Sequence, residues 1–168
     1  YAAIQVFELP TFEQVAEWHH NTTPMNQQVR ILQSITKHIH DTIMEKDQSA
    51  SPQIFYSMEN NSIGEAALLR VMDIGEENIP GMFLSEPIRK GHRRKFRRGF
   101  NTTAKHKIDA CTKFKELVEN NKMKINSQLL LSELKDFVAS GMSFKAKAGQ
   151  HDDLVSACLL MTRMIKTL

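Results

Sequence analysis

Gly149-Gln150-His151-Asp152-Asp153-Leu154-Val155 sets two adjacent carboxylates at the start of a segment that turns apolar directly afterwards. Aspartates at a helix N-terminus face unpaired backbone N–H groups and the positive end of the dipole, so they stay ionised and suit hard cations. The doublet also fits plain capping, with one Asp as the N-cap and its neighbour in the first turn. A second acid, Glu59, follows the apolar run Ile54-Phe55-Tyr56-Ser57-Met58. Glu59, Asp152 and Asp153 together offer the oxygen ligands that Mg2+ or Mn2+ prefers, with no soft thiolate among them. Two such ions can clamp the attacking water and the leaving oxygen of a phosphodiester, a reaction that needs no protein nucleophile. His151 stands beside the doublet, where it either supports a metal ligand or is an exposed loop histidine.

Other chemistries lack their motifs. The chain has no Gly-Lys-Ser/Thr phosphate loop, no Gly-x-Gly-x-x-Gly turn and no Gly-x-Ser-x-Gly elbow. Cys111 and Cys158 lie in helical patterns without a close Cys partner, which reads as buried free thiols in a reducing compartment. His38 and His40 are two apart on a helical pattern and face different sides. His19 and His20 end a strand pattern, so only one of them can face a site.

The net charge of +3 conceals an uneven distribution, because Arg89–Arg98 (RKGHRRKFRR) holds seven Lys/Arg and no acid. Arg89, Lys90, Arg93, Arg94, Lys95, Arg97 and Arg98 therefore point to a phosphate-rich partner, since a local cluster releases counterions from nucleic acid even on a near-neutral domain. A solvated loop is the plainer alternative. Phe96 and Phe100, with Gly91 and Gly99, suggest a hairpin-like excursion anchored by aromatics.

These residues must be positioned by an α/β arrangement. Ala3–Leu9 reads as a strand closed by Pro10, and 12–20 as its antiparallel partner. Spacings of three and four over Pro24–Lys46 predict an amphipathic helix. Ile54–Met58 is a short strand, Asn61-Ser62 caps a helix to about Met72, and Gly75 marks its exit. Ile79–Leu84 is another short strand leading to the basic stretch. Thr102-Thr103 caps a helix to about Glu119, whose Lys105, Lys107, Lys113 and Lys115 form a solvated outer face. Met123–Ile125 is a brief strand, Ser127–Val138 a helix, Phe144–Ala148 extended, and Asp152 to about Lys166 the last helix. Length suits one domain, with neither a repeat nor a dividing linker, and no apolar run long enough for a membrane span. In such sheets functional groups collect where parallel strands lead into helices, as Glu59 does.

Four pieces in order, Tyr1-Ala2-Ala3-Ile4-Gln5-Val6, Met58-Glu59-Asn60-Asn61-Ser62-Ile63-Gly64, Gly99-Phe100-Asn101-Thr102-Thr103 and Gln150-His151-Asp152-Asp153-Leu154-Val155, span nearly the whole chain. They resemble the nuclease domain of the large terminase subunit from tailed phages of the T-even type. The resemblance implies an RNase H-like (resolvase-like) α/β fold, a mixed sheet with helices on both faces, that cuts concatemeric viral DNA around genome packaging. It implies three metal-holding acids: an Asp on the first strand, a Glu ending a central strand, matched by Glu59, and an Asp opening the final helix, matched by Asp152 or Asp153. The first-strand Asp and its strand fall upstream of Tyr1. Residues 1–168 thus read as a single nuclease domain of a larger two-domain protein, with the motor ATPase domain outside it. Implied with it are cleavage leaving a 3′-hydroxyl, and a two-metal site for Mg2+ or Mn2+. The implied partners are double-stranded DNA, the portal, the small terminase subunit and its own ATPase domain, in the cytoplasm of an infected bacterium.

Two other readings compete. A non-catalytic DNA-binding or assembly module would use its acids only as caps. A His-Asp phosphohydrolase would take His151-Asp152 as its core doublet, but that group is all-helical and the strands at Ala3–Leu9 and Ile54–Met58 oppose it.

Overall fold

Ala2–Glu8 (β1), carrying Ile4, Val6 and Phe7, pairs antiparallel with Glu13–His20 (β2), in register from Ala2 opposite His20 to Glu8 opposite Glu13 with a bulge between Val6 and Phe7. β2 does not show the expected two-residue alternation, since Gln14 is buried and Val15 exposed. The computed structural model describes residues 2–87, 98–141 and 143–168. Residues 2–22 with 102–166 form one compact unit and residues 23–101 a second.

In the first unit the β1–β2 pair lies against three helices: α3 (Ala104–Glu119), α4 (Gln128–Asp136) and α5 (Asp153–Met164). Thr103 and Ser127 accept the N–H groups of His106 and Leu130, which stops the chain at the start of α3 and α4. Helical spacing turns Ala110, Phe114, Leu130, Leu154, Val155, Cys158 and Leu159 into one buried core, on which Ala3 and Phe7 of β1 pack. Opposed residues share a face of the pair, so His19, opposite Ala3, lies on the core side. A polar brace then fastens α4 to β2. Buried Gln14 accepts the N–H groups of Asn126 and Ser127 at 2.9 and 2.8 Å, and the Ser127 hydroxyl donates to Glu17 at 2.6 Å.

Two expectations change here. The helix predicted over Ser127–Val138 stops at Asp136, because Phe137–Ser140 (β5) pairs antiparallel with Ser143–Ala146 (β6). Stacking of Phe137 on Phe144, with ring centres 6.1 Å apart, rewards the extended state over one more helical turn. Met123–Ile125 is not a strand, and only Lys124 bridges to Glu13.

In the second unit α1 (Met25–Lys46) follows Pro24, and Phe55–Tyr56 (β3) pairs in parallel with Met82–Phe83 (β4). The connection is α2 (Ser62–Ile74), capped by Asn61 and left through Gly75 at φ 87°. Val29, Tyr56, Val71 and Ile79 form the core, with Leu32, Met58, Ala67, Ile74 and Phe83 packed around them. Both strands are shorter than predicted because the chain changes partner midway. The Ser57 hydroxyl donates to the Leu84 carbonyl, and then Met58 and Asn60 pair with Phe100.

The chain is thus mixed α/β with small sheets. Among the described residues the strands form three two-stranded sheets, β1–β2, β3–β4 and β5–β6, where one mixed sheet was expected. No helix of the described residues is long and apolar enough to cross a membrane.

Candidate metal centre and nuclease site

Asp152 occupies the N-cap position of α5, yet its side chain makes no capping bond. The N–H groups of Leu154 and Val155 are the second and third of the helix, the two that an N-cap side chain ordinarily serves. Glu133, projecting from α4, takes both on Oε2, at 2.9 and 3.1 Å. The capping explanation of the doublet therefore fails at Asp152. Its Oδ2 instead meets Lys107 Nζ at 3.3 Å, and that ammonium lies 5.3 Å from the centre of the Phe137 ring. Lys107 is consequently no part of a merely solvated lysine face.

Asp153, the first residue of α5, turns to a different set. One ligand atom each of His19, Glu133 and Asp153 lie within 4.8 Å of one another, all half-buried. His19 Nε2 is 4.0 Å and His151 Nδ1 3.9 Å from Asp153 Oδ2. Burial pushes the Glu133 carboxyl above its usual value, against the pull of its two backbone hydrogen bonds; Asp153 pushes the same way and His19 opposes it. Glu133 Oε2 in this cluster already accepts two N–H groups of α5, so the donors offered to a divalent cation such as Mn2+ are the Asp153 carboxylate and the His19 imidazole.

Glu133 was missed by the sequence reading. Its signal was its place three residues after Leu130, on the inward face of a leucine-rich helix where an acid needs a partner. Which of His19 and His20 would face a site was open, and the strand pairing selects His19. Cys158 is buried and burial drives its thiol pKa far up, while Cys111 is half-buried and raised for the same reason. Neither is a thiolate ligand.

Glu59 belongs to the second unit, where it bridges in parallel to Phe100 directly after β3. Asn61 Nδ2 donates to Glu59 Oε2 at 2.8 Å while Asn61 Oδ1 caps α2 through the Gly64 N–H at 2.9 Å. Buried Asn60 donates to the Arg98 carbonyl at 2.8 Å. Each residue of the Glu59-Asn60-Asn61 run thus has a separate task. Gly64 completes it, since a side chain there would overlap the Glu59 carbonyl.

Matched against known protein families, residues 1–164 fit the terminase RNaseH-like domain. The chain belongs to that family. Membership places this terminase domain among nucleases of the genome-packaging machinery, whose RNase H-like relatives generally use divalent metals. Of the basic residues, Arg89, Lys90, Arg93, Arg94, Lys95 and Arg97 lie outside the described residues, as does Phe96. Arg98 is described: its guanidinium pairs with Glu76 and lies 5.4 Å from the centre of the Phe83 ring.

Proposed function

We propose that this terminase domain is a metal-dependent endonuclease that cleaves double-stranded viral DNA concatemers during packaging, as in tailed phages of the T-even type. The observation that carries the reading is the gathering of Asp153 with His19 and Glu133 at the start of α5, a helix whose leading N–H groups are served by Glu133. Asp152 and Asp153 are the proposed metal-holding acids of the first unit, with His151 beside Asp153 in support, and Glu59 is the acid proposed for the second unit on the family resemblance. Bound Mg2+ or Mn2+ would supply water activation and charge neutralisation at the phosphodiester. The basic residues from Arg89 to Arg98 would hold backbone phosphates without reading bases, as suits cleavage of low sequence preference. The portal, the small terminase subunit and the ATPase domain are the proposed partners, in the cytoplasm of the infected host.

The test is Mg2+-dependent nicking of supercoiled plasmid by Glu59→Gln, Asp153→Asn and the double Asp152→Asn/Asp153→Asn variant. Loss of nicking with unchanged circular dichroism is expected. Undiminished cutting by the double variant overturns the reading. One observation favours the second reading, a DNA-binding module without catalysis: Asp152 is ion-paired with Lys107, as a structural acid would be. Its mark would be salt-sensitive DNA binding that Mg2+ leaves unchanged and no nicking by the parent protein.

A further inference from the structure

We infer that Glu133 is a positioning residue of the proposed site: from α4 its carboxylate takes over the N-cap function of α5, which keeps Asp152 off the helix backbone and fixes the first turn that aims Asp153 at its cluster with His19. The inference rests on the nuclease reading.

An α-helix begins with N–H groups that have no partner inside the helix, and a short polar side chain at the N-cap normally accepts one of them. Were Asp152 to do so in α5, its oxygen would be committed to the backbone. Glu133 Oε2 instead receives the N–H groups of both Leu154 and Val155, at 2.9 and 3.1 Å. These are charge-assisted bonds and so among the stronger ones a neutral donor can make. Asp152 is left to Lys107, and Asp153 to the cluster with His19.

Glu133 can aim accurately because its own helix is held at two points. Ser127, at the start of α4, is bound by Gln14 and Glu17 of β2, and Leu130 is fully buried in the core. The line from β2 through α4 to α5 sets the backbone on the C-terminal side of Asp153, with Leu154 and Val155 buried immediately beyond. Rotation of the first turn of α5 would swing both aspartates, and the two Glu133 bonds oppose it. The function needs an acceptor oxygen rather than a negative charge, so glutamine can replace glutamate and alanine cannot.

In the intact protein, Glu133→Ala is expected to lower kcat for plasmid nicking about ten- to a hundredfold, the usual cost of losing support behind a metal site, with KM for DNA little changed. Its Mn2+ affinity, read by electron paramagnetic resonance without DNA, should fall by a similar factor. Glu133→Gln should keep kcat and Mn2+ affinity within about threefold of the parent on the same argument. Amide exchange at Leu154 and Val155 should be slow in the parent and in Glu133→Gln, and fast in Glu133→Ala. A fully active Glu133→Ala protein overturns the inference, and so does a folded Glu133→Gln protein as impaired as the alanine variant, which would make the charge itself the requirement. If Glu133→Ala does not fold, the glutamine variant and the two amides of the parent still decide, and fast exchange there overturns it. Asp153→Asn separates the two layers. If it cuts like the parent, the nuclease reading falls, whereas a dead Asp153→Asn beside an active Glu133→Ala removes only the positioning role.

Discussion

One side chain, Asn61, both orients Glu59 and starts a helix: Nδ2 donates to the Glu59 carboxylate at 2.8 Å and Oδ1 accepts the Gly64 N–H at 2.9 Å. Removing it should therefore harm stability and activity together. Asn61→Ala is expected to lose about 0.5–2 kcal/mol, the range for a lost N-cap. Asn61→Asp separates the effects, because aspartate caps as well as asparagine but turns a donor toward Glu59 into a like charge. Urea denaturation should find Asn61→Asp near parental stability, while plasmid nicking should find it impaired. Full activity in Asn61→Asp would show that the Glu59 hydrogen bond has no functional weight.

Gly64 is required by space rather than by backbone angle. A Cβ at this position would overlap the Glu59 carbonyl, a backbone atom that cannot swing away as a side-chain tip can. Gly64→Ala is expected to destabilise by about 1–3 kcal/mol, the usual cost of overpacking, even though alanine is the better helix former. Thermal unfolding checks the sign, and a gain in stability would mean that the helix start shifts freely.

Where the sequence was legible, one local pattern decided one element. Apolar spacing set α1, Asn61 and Gly75 bounded α2, Thr103 started α3, and the apolar run after Asp153 marked α5. Phe137 was misread because its hairpin partner Phe144 lies across a turn, and periodicity alone cannot weigh a cross-strand ring contact against one more helical turn. The acids at 59, 152 and 153 were visible as types at helix entrances. Glu133 was not, because its partners Leu154 and Val155 are brought to it only by tertiary packing.

The basic stretch should divide into two roles. Arg98 is tied to Glu76 and rests over Phe83, so Arg98→Gln is expected to lower thermal stability along with any effect on DNA. Replacing Arg93, Arg94 and Arg97 by glutamine should instead weaken DNA binding and reduce the salt slope by about 0.9 for each phosphate no longer neutralised. Binding titrations at several salt concentrations measure this. An unchanged slope in the triple variant would remove these arginines from the DNA interface.

Glu133 should also leave a mark on stability as pH changes. Burial raises its carboxyl above the ordinary 4.5, so as pH climbs the unfolded chain loses this proton first. Over that interval the folded state binds more protons, and the linkage slope is negative: this group's contribution is fully present below the unfolded value and declines as pH rises through the folded one. Glu133→Gln keeps an acceptor for Leu154 and Val155 without the buried charge. Its stability relative to the parent should therefore increase between acid and neutral pH, without added divalent ions. Urea midpoints of both proteins at pH 4 and pH 7 test this. A difference that is flat or reversed would mean that the two backbone bonds stabilise the carboxylate more than burial disfavours it.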